Sequence, residues 1–597
     1  MGGIAGWITT ARAAPDPGAI LPALQALAHR GASGEGVYAA EAESGHQVVL
    51  GQPHYDPDSG IALLLDGAIA NRQELQSQLA LRGYRFAESS PCETLLRAYE
   101  HWDKDVVHHL RGAFAFVIWD AGRERLMLAR DRFGEKPLYL GGSGGSLHFG
   151  SEIRALLRMP GIPDEPDPAA AHDYLALRYV PAPRTLIRGI RKLMPGTYAL
   201  WQFGRLREVR YWTPPDRNPR VGQDAADPAT AFTDRLDEAV RLRLPAGVLL
   251  SGGIDSAVLL ALAARHVPRA KTFSAGFADD RHSELARAAL VAKHFGTEHH
   301  EVVLSPRDIV ARLPQAVASR DAPVSRPGDV ALYFLAAEAA RHGGAVLTGD
   351  GADEVLGGYR RHLAEHLGWG LRSLPTLLML AAPLARSRPG LRTAVASLRT
   401  GDWRQRCMRW VGVLNRDESG KLVTGGAVPA LLKTAPPFDA DPNASSLRRA
   451  LYFDQASFLP DNVLERADRL TMAASLEARA PYLDHRLAEL VSALPDELRV
   501  RGLETKWILR RAARSLLPRL APRQAGFRIP VGVWLRGELR DFLLAHLRDQ
   551  SSLTRPYYEA RVLDRVLDEH LAGRRNHEPL LWTLLNLEIW HRACRRA

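Results

Sequence analysis

A glycine-rich loop placed between a short apolar strand and a helix constrains the fold of this chain more than any other feature. Residues 247–250 (Gly-Val-Leu-Leu) have the composition of a buried strand, residues 251–256 (Ser-Gly-Gly-Ile-Asp-Ser) follow at once, and helical spacing runs through residues 257–264. A strand, a tight loop and a helix in this order are typical of the opening of a parallel α/β sheet. The sequence therefore predicts a domain built on such a sheet.

The residues of this loop match the needs of a pyrophosphate group. Its two glycines let the backbone approach phosphate oxygens closely, the helix N-terminus adds partial positive charge, and Ser251 and Ser256 offer hydroxyls. Asp255 would repel a phosphate unless a cation lay between them, so it is a candidate Mg2+ ligand. The alternative is an ordinary glycine turn in which Ser256 only caps the helix.

A second acidic loop follows a second apolar strand. Residues 345–347 (Ala-Val-Leu) have strand character, and residues 348–354 (Thr-Gly-Asp-Gly-Ala-Asp-Glu) come next. The carboxylates of Asp350, Asp353 and Glu354 repel one another, which raises their pKa values unless a cation or a basic substrate lies among them. A solvent-exposed acidic turn is the simpler alternative, but the two loops together indicate a Mg-ATP site.

The length, cysteine content and charge of the sequence indicate the number of domains, the cellular compartment and the kind of ligand. Its 597 residues exceed one ordinary core, so at least two domains are expected. Three cysteines without paired spacing, no signal-like segment and no membrane-length apolar run predict a cytoplasmic protein. The formal charge of +11 comes from dispersed arginines, so we expect neither nucleic acid nor membrane as a partner. An anionic nucleotide or an acidic peptide accounts for the charge equally well.

The domain organisation follows from changes in composition along the chain. The first 205 or so residues contain short apolar segments bounded by turns, which predicts an α+β sandwich. Residues 214–228 are polar and rich in Pro, Asp and Asn, as in a linker. The remainder is mostly helical, with strong apolar periodicity at residues 447–480 and 505–517.

Longer motifs continue beyond the two loops. Residues 461–469 and 472–484 form one long motif, and residues 29–31 (His-Arg-Gly), 131–139 and 150–153 form shorter ones in the N-terminal part. With the two glycine loops, these motifs make the chain resemble the asparagine synthetase family, whose members hydrolyse glutamine, over nearly its whole length.

The resemblance implies a two-domain fold of α/β and α+β type. Residues 1–213 are expected to form a degenerate glutamine amidotransferase type 2 domain, an αββα sandwich resembling the N-terminal-nucleophile (Ntn) hydrolases. Residues 214–228 are the expected linker. Residues 229–597 are expected to form an ATP-pyrophosphatase (PP-loop) domain, with a Rossmann-like parallel sheet and a helical extension.

The resemblance also implies roles for individual residues. Those expected to bind ATP are Leu249, Ser251, Gly252, Gly253, Asp255, Ser256, Ala275, Thr348 and Gly349. Asp255 and Asp353 are the expected Mg2+ ligands, and Asp350 or Glu354 is expected to position or deprotonate the attacking amine. The lysine that approaches the phosphates in the family is replaced by Gln524, which leaves Arg523 as the candidate catalytic cation, although a guanidinium is no close substitute for an ammonium.

The N-terminal part departs from the family where glutamine would be hydrolysed. The nucleophile is a cysteine at residue 2, and here that residue is Gly2. The family's Asn-Gly-Glu segment reads Asp-Gly-Ala at residues 66–68, and Pro91 stands where an aspartate would hold the glutamine amine. Cys92 lacks the terminal amine that assists the reaction, so it is expected to be a core thiol. We therefore predict an inactive glutaminase.

The implied function is ATP-dependent amide formation without internally released ammonia. Family members that lack the cysteine include β-lactam synthetases and lasso-peptide cyclases, which join an amine and a carboxylate of the same molecule. We favour the cyclase, because a basic chain suits an acidic or extended peptide and because Asp350 stands where β-lactam synthetases use a tyrosine. The expected partners are a peptide or small-molecule carboxylate substrate, with a precursor peptide and its leader peptidase.

Three alternatives remain open. They are an asparagine synthetase that uses free ammonia, another small-molecule ligase such as a β-lactam synthetase, and a pseudoenzyme that only binds nucleotide or scaffolds a complex. The replacement at Gln524 keeps the last of these in consideration.

Overall fold

The computed structural model describes residues 2–10, 15–142, 145–215, 227–277, 284–372, 389–412, 422, 444–517 and 529–594. These residues form two compact units. The first unit contains residues 1–167, 182–213 and 467–477, and the second contains residues 168–181, 214–466 and 478–597. Most of the expected linker lies outside the described residues.

The first unit contains two six-stranded sheets. Their strands are β1 (Ala5–Thr10), β2 (Val37–Glu41), β3 (His46–Gly51), β4 (His54–Asp56), β5 (Ile61–Ile69), β6 (Gly112–Asp120), β7 (Arg125–Arg130), β8 (Tyr139–Gly141), β9 (Leu147–Gly150), β10 (Arg191–Lys192), β11 (Thr197–Gln202) and β12 (Arg205–Arg210). The strand orders are β10-β8-β9-β1-β3-β2 in one sheet and β12-β11-β7-β6-β5-β4 in the other. The strand pairs are antiparallel throughout these sheets.

Alternation along β5 shows how the layers pack. Ile61, Leu63 and Leu65 belong to a core cluster shared with helices, whereas Ala62 and Leu64 belong to the cluster between the two sheets. The helices of this unit are α1 (Leu21–Ala26), α2 (Arg72–Ala80), α3 (Pro91–Trp102), α4 (Val106–His109) and α5 (Ile153–Leu156). The outer face of the second sheet is covered by α2, α3 and α4, and α5 contacts β9 of the first sheet. The predicted αββα sandwich is confirmed.

The second unit is built on a sheet with the order β15-β14-β13-β16-β17. Its strands are β13 (Gly247–Leu249), β14 (Lys271–Phe277), β15 (Glu298–Leu304), β16 (Ala345–Leu347) and β17 (Glu477–Arg479). The β13 strand runs parallel to both β14 and β16, and β14 runs parallel to β15. The predicted parallel sheet is confirmed. A small hairpin of β18 (Val500–Arg501) and β19 (Glu504–Thr505) lies outside it.

Helices dominate the chain from residue 168 onward. They are α6 (Pro168–Leu177), α7 (Pro228–Arg241), α8 (Ile254–Ala263), α9 (Leu285–Phe295), α10 (Pro306–Arg320), α11 (Pro327–Ala340), α12 (Ala352–Leu356), α13 (Arg360–Arg372), α14 (Pro389–Leu398), α15 (Trp403–Val411), α16 (Ser446–Phe453), a π-helix (Asp454–Leu464), α17 (Glu465–Met472), α18 (His485–Ala493), α19 (Trp507–Leu516), α20 (Val531–Trp534), α21 (Arg540–Leu547), α22 (Ala560–Leu571) and α23 (Glu578–Cys594). Among the residues described, no helix is both long enough and apolar enough to cross a membrane.

The apolar periodicity at residues 447–480 corresponds to more than one kind of structure. It begins as α16, widens into the π-helix, which contains Pro460, and ends with α17 at Met472. Ser475 then adopts a left-handed conformation with φ of +57°, and the amide of Leu476 donates to the carbonyl of Thr471. This cap stops the helix, so residues 477–479 are free to form β17.

Candidate active site

The loop after β13 folds tightly over the start of α8. The amide of Ser251 donates to Oγ of Ser256 at 3.1 Å, and the amide of Gly253 donates to Oγ of Ser251 at 3.3 Å. Gly252 has φ of +69°, and a Cβ there would lie 2.9 Å from the Cβ of Arg287. Only glycine fits this turn, which leaves bare backbone beside the N-terminus of α8, as a phosphate site requires.

The two expected metal ligands meet at a lysine. Nζ of Lys506 lies 2.7 Å from both carboxylate oxygens of Asp255 and 2.7 Å from Oδ1 of Asp353. The lysine side chain is fully buried, whereas the two carboxylates are 25% and 29% exposed. Solvent therefore does not reach the Lys506 side chain, but it does reach the side chains of Asp255 and Asp353.

The charges in this group shift one another's pKa values. Burial raises the pKa of the Asp255 carboxyl, the Lys506 ammonium opposes that shift, and Asp353 adds to it. Burial alone would lower the pKa of Lys506, but the two carboxylates outweigh it and raise the pKa above its usual value. Lys506 is therefore a fixed positive charge at neutral pH.

The absence of a side chain at Gly358 leaves space for the side chains of Asp353 and Lys506. The amide of Gly358 donates to the carbonyl of Asp353 at 2.9 Å. A Cβ on Gly358 would lie 1.8 Å from Oδ1 of Asp353 and 2.0 Å from Cε of Lys506. Any larger residue at this position would displace both side chains.

The two acidic residues expected to act on the amine have different surroundings. Arg466 donates to Oδ1 of Asp350 at 3.2 Å and to Oδ1 of Asp329 at 3.1 Å, and the Asp350 side chain is 19% exposed. Glu354 is buried and accepts a 2.6 Å hydrogen bond from the hydroxyl of Tyr359. Burial, reinforced by Asp353, raises the pKa of Glu354 to about 7. Asp350 is thus the more accessible of the two.

The residues expected around the adenosine lie at the carboxyl edge of the sheet. Leu249 ends β13, Ala275 lies within β14 and opposite Val302 of β15, and Thr348 directly follows β16. The Thr348 hydroxyl is buried and has no hydrogen-bond partner among the described residues. A Cβ on Gly349 would lie 3.1 Å from that of Asp255, so the two loops approach closely. An unpartnered buried hydroxyl beside bare loops fits a nucleotide at this edge.

Two carboxylates that both reach solvent also fit Mg2+, which prefers oxygen ligands. Arg523 and Gln524 lie outside the described residues, so the candidate replacement for the family lysine stays a prediction.

Sequence reasoning missed Lys506, and the signal that marks this residue is found only in the structure. The residue stands at the N-cap of α19 with φ of +53°. A cation there opposes the helix dipole, and αL geometry is uncommon outside glycine, asparagine and aspartate. Such a combination points to a residue held in place by something other than its own helix.

In the first unit, residue 2 has no space for a side chain. The Gly2 amide donates to the carbonyl of Leu65 at 3.1 Å, and a Cβ on Gly2 would lie 2.4 Å from the amide nitrogen of Ser33. Ser33 is itself held, because its Oγ accepts from the amide of Leu65 at 2.9 Å. A cysteine here would require the backbone to move.

The other positions that depart from the family pattern serve the scaffold. Asp66 is fully buried, and its Oδ2 accepts from Oγ of Ser151 at 2.7 Å and from Arg30 at 3.0 Å. Pro91 occupies the first turn of α3, where it offers no carboxylate. Burial raises the pKa of the Cys92 thiol to about 11, so this sulfur is protonated at neutral pH. The expectation of a core thiol agrees with this environment.

A buried ionic network extends from Arg30 through the first unit. Arg30 contacts Asp66, Glu152 and Asp468, and Nζ of Lys136 lies 2.8 Å from Oδ1 of Asp468. The positive charges of Arg469 and Arg30 lower the pKa of Glu152 despite its burial, and those of Arg30 and Lys136 lower that of Asp468. Each of these acidic groups is paired with at least one basic side chain, which makes the network a structural element.

The chain was compared with models of protein families and with known proteins. Residues 231–592 match the family model described as Asparagine synthase, and residues 1–212 match the one described as Glutamine amidotransferase domain. The chain is 34% identical over 575 residues to a putative glutamine-hydrolyzing asparagine synthetase of Mycobacterium tuberculosis, covering 92% of this chain and 86% of that protein. It is 31% identical over 567 residues to the glutamine-hydrolyzing asparagine synthetase 1 of Bacillus subtilis, covering 91% and 87%. It is 28% identical over 517 residues to the amidase chyE of Penicillium rubens, covering 78% of this chain and 76% of that protein.

Proposed function

Because this chain belongs to the asparagine synthase family, we propose that it uses ATP to join a carboxylate to an amine of the same peptide, as a lasso-peptide cyclase does. It is an ATP-dependent carbon–nitrogen ligase that forms AMP and pyrophosphate. The finer proposal has two parts: glutamine is not its nitrogen source, and the product is a macrolactam. The single observation that carries the first part is the position of Gly2, which has no nucleophile and no space for one.

The reaction proceeds in two displacements. A carboxylate oxygen of the substrate attacks the α-phosphorus of ATP, which forms the acyl-adenylate as the bond to pyrophosphate breaks. The substrate amine then attacks the acyl carbon, the bond to AMP breaks, and the amine loses a proton. The N-terminus of α8 and the ammonium of Lys506 stabilise the negative charge that develops on the phosphates.

Other residues of the site orient the reactants. We assign Mg2+ to Asp255 and Asp353, and when bound it would neutralise phosphate oxygens of the nucleotide. Asp350 is the better placed of the two acidic candidates to hold the amine, since its carboxylate is partly exposed and its orientation is fixed by Arg466. The Thr348 hydroxyl is available to the adenosine.

Intramolecular attack explains how the enzyme works without an ammonia supply. An amine tethered beside the adenylate reaches an effective concentration of up to about 10⁵ M or more when well oriented. The first unit retains its fold without its nucleophile, which is expected if it still serves to dock a large substrate. The formal charge of +11 suits an acidic peptide, and we place the enzyme in the cytoplasm, where cysteines stay reduced.

A second function is favoured by the relatives themselves. Identity of 34% over 92% of the chain to a putative glutamine-hydrolyzing asparagine synthetase supports an enzyme that aminates aspartate. Because Gly2 provides no nucleophile for glutamine hydrolysis, the nitrogen source in this case would be free ammonia. Both functions share the adenylation site, so they differ only in the carboxylate and in the source of the amine.

One experiment separates the two functions. The purified enzyme is incubated with ATP, Mg2+ and a precursor peptide encoded beside it, with the leader removed. The cyclase predicts loss of one water from the peptide, seen by mass spectrometry, with AMP formed in step. The matched control is the same peptide with its acceptor Asp or Glu replaced by Asn or Gln, which should stay linear. Asparagine formed from aspartate and ammonium, with the peptide unchanged, would replace the cyclase by the ammonia-dependent synthetase.

A further inference from the structure

Three potential metal ligands meet at the edge of the parallel sheet opposite the nucleotide loops. Glu298 and His300 lie at the start of β15, and His342 lies between α11 and β16. The loops that carry Asp255 and Asp353 follow the carboxyl ends of β13 and β16, whereas this cluster lies where strands begin. In a parallel sheet these two edges are on opposite sides, so the cluster is separate from the proposed ligase site.

The side chains of this cluster converge. Oε1 of Glu298 lies 3.0 Å from Nε2 of His300, the two imidazole rings have centroids 3.9 Å apart, and one ligand atom of each residue lies within 4.8 Å of the others. Glu338 adds a fourth group, with Oε1 at 3.2 Å from Nε2 of His342. All four residues come from β15 and the end of α11 with its following turn.

The surroundings hold the rings in place and leave the ligand atoms accessible. Phe273 of β14 stacks on the ring of His300 with centroids 5.2 Å apart and an interplanar angle of 16°. The ammonium of Lys271 donates a hydrogen bond to the carbonyl of His342. Arg341 forms an ion pair with Oε2 of Glu338. His300 and His342 are 21% and 24% exposed, so an ion from solvent can reach them.

We propose that Glu298, His300 and His342, with Glu338 as a fourth ligand, bind a zinc-type transition-metal ion. Two imidazoles with two carboxylates form a donor set that suits Zn2+ and not Mg2+, which prefers oxygen ligands alone. The two carboxylates balance the charge of a divalent ion. Because the ligand atoms of Glu298, His300 and His342 lie within 4.8 Å of one another, small side-chain rotations bring them to the roughly 2.0–2.2 Å bonds that zinc makes. The ion would join β15 to the connection between α11 and β16.

The test uses the metal-free full-length protein. Zn2+ is titrated by calorimetry, and Co2+ is titrated by visible absorption, because tetrahedral Co2+ with imidazole ligands absorbs strongly. We expect one tight equivalent per chain, and a loss of affinity of about 100-fold or more in His300→Ala and in His342→Ala. The Asp255→Asn variant changes the proposed Mg2+ site, and it should keep the Zn2+ affinity.

The matched control is His266→Ala. His266 is another half-buried histidine hydrogen-bonded to a carboxylate, with Nε2 3.2 Å from Oδ1 of Asp237. In the part of the chain that the structure describes, it belongs to no cluster of three potential metal ligands. It should bind as the wild type does. If the wild type binds no Zn2+, or if all three histidine variants bind it equally, these residues form only hydrogen-bonded pairs and the proposal is wrong. Should an alanine variant fail to fold, the wild-type Co2+ spectrum and His300→Gln decide the question.

Discussion

Lys506 is a positive charge at the start of a helix, where the helix dipole disfavours it, and the two carboxylates 2.7 Å from its Nζ supply the compensation. In the proposed reaction, the same pairing prepares the site. The carboxylates hold the ammonium in position before any phosphate arrives, so little reorganisation is needed when charge develops on the nucleotide. Complete burial of the lysine keeps competing water away from one side of the group.

Replacing this lysine should disable the adenylation step. In Lys506→Met the side chain keeps its length but loses its charge, so we expect ATP-to-pyrophosphate turnover to fall by about 10²-fold or more. Lys506→Arg should not restore it, because a planar guanidinium does not fit between two carboxylates that contact one atom. Asp255→Asn should cause a comparable loss with the fold intact.

The measurement is pyrophosphate release, with circular dichroism to confirm folding. Lys271→Met, which removes another partly buried lysine of the same unit, is the control that should keep its turnover. Full activity in both Lys506→Met and Asp255→Asn would mean that the reaction occurs elsewhere.

Restoring a cysteine at residue 2 should not restore glutamine hydrolysis. In Gly2→Cys the new Cβ would lie 2.4 Å from the amide nitrogen of Ser33, so the sulfur cannot take its place without a backbone shift. Asp66 and Pro91 would still lack the groups that bind glutamine. We expect no glutamate above a heat-killed control and a stability lower by about 1–3 kcal/mol, as for overpacked sites. Glutamate release in wild type would contradict the loss of the glutaminase, and release in the variant alone would contradict the steric argument.

At the scale of elements, the turn between α12 and α13 shapes the proposed ligase site. Gly358→Ala adds only a methyl group, but that group would overlap Oδ1 of Asp353 and Cε of Lys506. Oδ1 ends the Asp353 side chain, and Cε is one bond from the end of the Lys506 side chain. Both atoms can therefore move aside, and the fold should survive with a melting temperature close to that of wild type. Turnover of ATP should nevertheless fall by about 10²-fold, since the charged group loses its geometry.

Gly401→Ala provides the comparison for this variant. A Cβ at residue 401, between α14 and α15, would meet no atom within 4 Å, so both stability and turnover should stay unchanged. If Gly358→Ala remains fully active, the contact between Asp353 and Lys506 is not required for catalysis.

The elements differ in how far the sequence could predict them. The strands β13 and β16 with their loops were predictable, because each is a short apolar run followed at once by glycines and carboxylates. The approach of Lys506 to those loops was not predictable. Lys506 follows the hairpin of β18 and β19, stands at the start of α19 and is 251 residues from Asp255 in the sequence. The assignment of residues 467–477 to the first unit was also missed, because local periodicity continues through α17 and carries no information about its partners.

At the scale of the whole molecule, acid should act first on buried histidines, of which His148 lies in the first unit and His570 in the second. Burial lowers the pKa of His570 to about 4. Burial lowers the pKa of His148 to about 4, below its ordinary value near 6.5. Folding therefore requires the neutral imidazole. The resulting stability is complete above pH 6.5 and is lost as the pH falls towards 4. For one such group the loss amounts to about 3 kcal/mol at most.

The ionic network adds a second acid-sensitive range at lower pH. Glu152 and Asp468 have pKa values lowered by the basic residues around them, so their contribution is present above the ordinary carboxyl range and is lost as the pH falls through the lowered values. The pH range in which His148 titrates lies above the range in which the network loses its charges. A substitution at His148 should therefore change the first range and leave the second unchanged. His148→Phe removes the titrating ring and keeps a flat aromatic side chain beside Trp7.

We expect calorimetric melting temperatures of the wild type to decrease between pH 6.5 and 4.5. Those of His148→Phe should decrease less over this interval, and the decrease that remains is due to other buried histidines such as His570. Both proteins should lose stability steeply below about pH 4, because the network is the same in each. If the variant keeps the wild-type slope between pH 6.5 and 4.5, the imidazole is not the group that titrates. In that case other buried groups, such as His570, whose pKa burial also lowers to about 4, account for the acid response in this interval.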